Sequence, residues 1–117
     1  MTRARNLAGL IFTSINAQSG TSYTFALTDA NNTFVTLSNA SAITATIPLN
    51  STTAFPVGTV LSFSQGGAGQ VTVSGASGVT VTSTGATAAT PKTRAQYSAA
   101  SALQTSVNNC LVIGDLA

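Results

Sequence analysis

The sequence predicts an all-β fold, a small antiparallel β-sandwich or jelly-roll-like barrel with a short N-terminal arm or helix. From Thr21 onward apolar and polar residues alternate with a period of two, the signature of half-buried strands. Clusters of Gly, Asn, Asp, Ser and Pro interrupt that alternation about every 8–12 residues, the turn spacing of small sandwiches and barrels. Twenty of the 117 residues are threonine, a β-branched type that favours strands. The length fits one domain, with residues 1–20 as the arm and residues 21–117 as the β-domain.

The elements follow in order. Leu7, Leu10 and Ile11 fall at i, i+3 and i+4, one helical face, with Thr2 or Asn6 available as a cap. Arg3 and Arg5 ahead of this stretch also outline a signal peptide, but Gly9, Thr13 and Ser14 interrupt it, and it is far too short to cross a bilayer. Tyr23, Phe25 and Leu27 alternate with polar neighbours as the first strand, and Asp29-Ala30-Asn31-Asn32 is turn chemistry. Val35 and Leu37 mark the next strand. Ile43, Ala45 and Ile47 mark another, which Pro48 ends because proline cannot donate to a ladder. Leu61 and Phe63 share a face of the run Thr59 to Gln65. Gly66-Gly67-Ala68-Gly69 then reads as a hairpin connection into Val71 and Val73. Val79 and Val81 continue the pattern, residues 83–90 read as a loop, and Tyr97, Ala99 and Leu103 are expected inward. Leu111 to Ile113 forms the last short strand. The expected core is Phe25, Leu27, Ile43, Ile47, Phe63, Val71, Val73, Tyr97 and Ile113.

Charge is scarce: four Lys and Arg, two aspartates, no Glu and no His. Without His there is no histidine base, no Ser-His-Asp triad and no imidazole metal site. Asp29 and Asp115 supply the only possible carboxylate pair, and the single Cys110 excludes an internal disulfide or a multi-thiolate zinc site. The expectation is a protein that is not an enzyme, with no catalytic residues, no cofactor and no metal. Four cations in two separated pairs are too few for a phosphate-binding patch, so nucleic acid is not an expected partner. A surface so poor in charge has little repulsion against self-association.

Individual motifs point to structure rather than chemistry. Gly66 to Gly69 lacks the following helix and Lys-Ser/Thr pair of a phosphate loop. Asp29 with Asn31 lacks the later ligands of a calcium loop. Thr44-Ala45-Thr46 and Thr80-Val81-Thr82 suggest stacked, water-ordering threonine rows, but no constant repeat length links them, so they read as outward strand positions. Cys110, beside Leu111 and Val112, reads as a buried small hydrophobe.

Several stretches together resemble a module of tailed-bacteriophage structural proteins. They are Ser41 to Pro48, Phe55 to Thr59, Gly67 to Val73, Thr93 to Ala100 and Leu111 to Leu116, with the opening Arg3 to Ala8 similar to the start of phage fibre and head-surface chains. Where that module usually carries a tryptophan before its final strand, this chain has Cys110. The resemblance implies a virion location and a homotrimer. The favoured expectation is a capsid decoration (cement) protein on the outside of the head, bound to the major capsid protein, with no membrane partner. The alternative is a tail-fibre module that meets a host receptor through surface carbohydrate. Arg3, Arg5, Leu7, Leu10 and Ile11 are the candidate docking residues, three aliphatic side chains flanked by two cations.

Overall fold

The computed structural model describes residues 12–85 and 87–117, and its fold is β-rich. Nine strands follow in order: β1 (Ser14–Gln18), β2 (Ser22–Thr24), β3 (Thr33–Leu37), β4 (Ile43–Ile47), β5 (Val60–Gln65), β6 (Val71–Gly75), β7 (Thr80–Ser83), β8 (Ala99–Ser106) and β9 (Asn109–Gly114). A single 3-10 turn, Leu27–Ala30, lies between β2 and β3.

The first seven strands alternate between two sheets. One sheet has the order β1-β3-β5-β8-β9-β7 and the other β2-β4-β6. Pairing between successive coils is parallel: Ser14 lies beside Thr33, Phe34 beside Ser62, Ser22 beside Thr44, and Ile43 beside Val71. Between the named strands antiparallel pairing joins β5 with β8 and β8 with β9, while β7 joins β9 in parallel; two isolated antiparallel bridges, Thr72 with Lys92 and Thr93 with Leu116, add to them. The expected antiparallel architecture is therefore corrected to mixed, mainly parallel sheets. Alternation with period two reports that a strand is half-buried, and it is the same for either pairing direction.

The glycine-rich segment shows why the expected hairpin does not form. β5 and β6 lie in different sheets, and residues 66–69 carry the chain between them beneath the corner at residues 38–41. The Gly66 N–H donates to the Leu37 carbonyl (2.8 Å) and the Gly69 N–H to the Asn39 carbonyl (2.7 Å). A Cβ on Gly67 would stand 2.7 Å from the Asn39 oxygen, and one on Gly69 1.9 Å from the Ser41 oxygen. These glycines let two backbone corners stack closely rather than turning a hairpin.

One apolar cluster joins both sheets. Val35, Leu37, Leu61, Phe63, Cys110 and Val112 enter it from the larger sheet, and Ile43, Ala45, Ile47, Val71 and Val73 from the smaller. Phe25 closes it, its ring centroid 5.8 Å from that of Phe63. Six of the nine expected core residues are buried, and Cys110 is buried as expected. Leu27, Tyr97 and Ile113 are corrections, at 52%, 79% and 52% exposure. The strand holding Tyr23 ends at Thr24, and the 3-10 turn rotates Leu27 outward while bringing Asp29 in. β8 starts at Ala99, and its inward residues are Ala100, Ala102 and Gln104, one position out of phase with the expected Ala99 and Leu103. In β9 the inward pair is Cys110 and Val112, which sends Ile113 to the opposite face. Of the expected arm, residues 14–18 form β1 at the edge of the larger sheet.

Candidate functional site

The docking residues expected from sequence, Arg3, Arg5, Leu7, Leu10 and Ile11, lie outside the described residues. The surface next to them in sequence is the outward face of the six-stranded sheet. Strand register aligns Ile15, Phe34, Ser62, Ser101 and Ile113 in one continuous row across β1, β3, β5, β8 and β9. Val60, Leu103 and Leu111 form a second row beside it. Ile15 is 63% exposed, and Phe12 and Val60 are each about half exposed. Phe12 sets its ring edge-on to Phe34 at 5.2 Å, and grooves of about 320 and 410 Å³ border it. In the middle of the row the Ser62 and Ser101 hydroxyls lie 2.9 Å apart, one donating to the other.

The sequence carried a signal for this face. Cys110 to Ile113 is an unbroken apolar run, and Phe34 and Val35 are adjacent aromatic and aliphatic residues. Adjacent apolar residues on a strand load both faces, and only one can serve the internal core.

Titratable groups fall elsewhere. The Asp29 carboxylate is 1% exposed and accepts from the Ala26 N–H at 2.8 Å, the Asn16 amide at 2.9 Å and the Tyr23 hydroxyl. Its oxygens are thus committed to binding β1, β2 and the 3-10 turn together. Burial first, then the hydrogen bond to Asp29 and its negative charge, push the Tyr23 phenol above its ordinary value. Asp115 is held below the usual carboxylate range mainly by Arg94, whose Nε and Nη2 reach it at 2.7 and 2.9 Å, and also by the Ser98 hydroxyl at 2.8 Å. Burial pushes the Cys110 thiol up, away from the reactive thiolate. Gln65 and Thr93 form a second buried link, through which the Thr93 hydroxyl also accepts from the Val71 N–H at 3.0 Å. Among the described residues two cations stand against two carboxylates, and no strand position on the outward face of the large sheet is charged.

The smaller sheet shows a different surface. Its parallel register aligns Ser22, Thr44 and Thr72 in one row and Thr24, Thr46 and Ser74 in the next. Hydroxyl rows therefore stack across coils of unequal length, because register is set strand by strand while the corners absorb the difference. Thr80-Val81-Thr82 belongs to the other sheet and takes no part. Tyr97, the most exposed large apolar side chain among the described residues, has a left-handed backbone with φ of 71°. The chain matches no family model, and no curated protein or solved structure is similar to it.

Proposed function

We propose that this chain is a non-enzymatic structural protein of a tailed-bacteriophage virion, a decoration protein that binds the major capsid protein on the head exterior and acts as a homotrimer. The observation that carries the reading is the outward face of the six-stranded sheet, where Ile15, Val60 and Ile113 are about half exposed or more in rows completed by hydroxyl residues, with no charged strand position. Exposed aliphatic side chains gathered on one uncharged face mark an interaction site. The ordered resemblance of Thr36 to Ala117 to phage structural modules supplies the virion context. Two sheets meeting at one core also support a two-layered sandwich reading of the fold.

Docking to the coat is assigned to the N-terminal arm. Burying Leu7, Leu10 and Ile11 is worth on the order of 5–8 kcal/mol before entropic costs. Arg3 and Arg5 would steer the encounter with acidic coat residues and make it sensitive to salt. The test is co-sedimentation of the purified chain with undecorated heads, beside a variant lacking residues 1–11, which leaves β1 intact. The full chain should pellet with the heads and raise their melting temperature, and the truncated chain should stay folded in the supernatant. Failure of the full chain to bind heads sinks the decoration reading. Equal binding by the truncated chain sinks the arm alone.

A further inference from the structure

We infer that Tyr97 is the stacking platform of a binding site for an uncharged sugar ring, with the Arg94–Asp115 ion pair beside it supplying hydrogen bonds. The inference goes beyond the decoration reading and does not depend on it.

The first argument is backbone strain. Gln96 and Tyr97 are the central residues of a tight turn, closed by the Ser98 N–H on the Ala95 carbonyl at 3.0 Å. Tyr97 has φ of 71°, a left-handed conformation that suits glycine and asparagine. Among the described residues, the other non-glycine residues with positive φ are Asn32 and Asn108. A bulky ring is costly there, and at 79% exposure it recovers little through packing. No other aromatic ring stacks on it among the described residues. Strain without packing marks a side chain held for a task outside the fold.

The second argument is rigidity. The Tyr97 N–H donates to the Gln65 carbonyl at 2.6 Å, the Gln96 amide to the Gly66 carbonyl at 3.1 Å, and the Ala95 N–H to the Ser98 hydroxyl at 3.0 Å. A ring fixed on such a turn has little freedom left to lose on binding.

The third argument is what surrounds the ring. The Asp115 carboxylate accepts from the Ser98 hydroxyl of the same turn at 2.8 Å and from Arg94 at 2.7 and 2.9 Å. A carboxylate has about four acceptor sites, so one remains for a ligand hydroxyl. The Asp115 side chain is 41% exposed and open to such a contact. Register continues the surface from Ala99 to Ser64 and Thr36, small residues without charge. The electron-rich face of the phenol attracts the polarised C–H groups on the flat side of a sugar ring. Protein anchors sit in enclosed pockets, and the grooves of the large sheet border Phe12 rather than this turn. Stacking on an open ring needs no enclosure. The Arg94–Asp115 pair cancels its own charge, which favours an uncharged sugar over an acidic one.

Saturation-transfer NMR of the full purified chain tests the inference. The neutral probes are methyl α-glucoside, methyl β-galactoside and N-acetylglucosamine, and the acidic probe is glucuronate. The wild type should bind at least one neutral probe with Kd of about 1–10 mM, the range of one stacked ring and a few hydrogen bonds. Tyr97→Gly should weaken that binding at least about 10-fold while unfolding at no lower urea concentration, which a merely structural ring would not allow. Tyr97→Phe, which keeps the ring face, should stay within about 3-fold of wild type. A wild type that binds no neutral probe overturns the inference, and so does equal binding by Tyr97→Gly or a preference for glucuronate. Loss of head binding in Tyr97→Gly, with no sugar bound by the wild type, makes the ring a protein contact instead. A wild type that ignores heads yet binds sugar sinks the decoration reading alone.

Discussion

Removing the Asp29 carboxylate should be among the most damaging single changes outside the aromatic core. Asp29 is 1% exposed, and its two oxygens accept from a backbone N–H, an amide and a phenol. Asp29→Ala strands all three donors. An unsatisfied buried donor costs about 1–3 kcal/mol, and water entering the vacated space recovers part of that, so the expected loss is about 3–5 kcal/mol. Against a total stability of about 5–15 kcal/mol for a domain, this is a large fraction. Asp29→Asn should cost less, about 1–3 kcal/mol. Its remaining oxygen can face the Ala26 N–H, but its amide then confronts Asn16, whose own oxygen already accepts from Gln18 at 2.7 Å. Tyr23→Phe removes one donor and should cost about 1–2 kcal/mol. The double variant Tyr23→Phe/Asp29→Ala should lose less than the sum of the singles, because the phenol stranded by the alanine is gone. Urea unfolding followed by far-ultraviolet circular dichroism gives each value from the midpoint at constant slope. An Asp29→Ala variant within about 0.5 kcal/mol of wild type, a change ordinary for a surface site, would refute the reasoning, and so would strict additivity in the double variant.

Three further outcomes are expected. Phe63→Ala, at the centre of the cluster beside Phe25, should cost about 3–5 kcal/mol in the same urea assay, and a change inside experimental error would mean that its neighbours do not enclose it. Tyr97→Gly should raise stability by about 1 kcal/mol, since the backbone there is left-handed and the ring is mostly in solvent; a loss of that size would show that the ring holds the turn. Native Tyr23 binds its proton more tightly than the unfolded chain does, so stability should be intact below pH 10.0 and fall as pH rises from there toward the native value. Alkaline urea titrations should show this decline and show it reduced in Tyr23→Phe.

Much of the strand inventory was legible because burial writes itself into alternation. Ile43, Ala45 and Ile47 are separated by threonines, Val71 and Val73 are flanked by polar residues, and each run admits one inward phase. Ile113 could not be phased that way, since four apolar residues in succession offer two equivalent choices. Leu27 was misplaced because the strand gives way to a tight turn before reaching it, and the Asp29 side chain that drives that turn draws its partners from two other elements. Pairing direction was invisible. It depends on which coil lies next to which, and Gly66 to Gly69 has the same composition whether it closes a hairpin or passes under a neighbouring corner. The outward face was legible only as adjacent apolar residues that load both sides of a strand; that Ile15, Phe34 and Ile113 share one row follows from register alone.

The alternation of the first seven strands between sheets governs how the chain folds. Among the described strands only β8 and β9 form a local hairpin. β1, β2, β3 and β4 each wait for a partner one coil later, β5 waits for β8, and β7 waits for β9. Distant pairing must be reached before any contact repays the lost chain entropy, which places folding in the slow range of about milliseconds to seconds. During synthesis at about 5–20 residues per second, the larger sheet stays open at its centre until β8 has left the ribosome. An N-terminal fragment ending before Ala99 would carry the whole smaller sheet and most of the core residues, yet lack the strands that close the larger one. The last sixth of the chain therefore licenses the structure of everything before it.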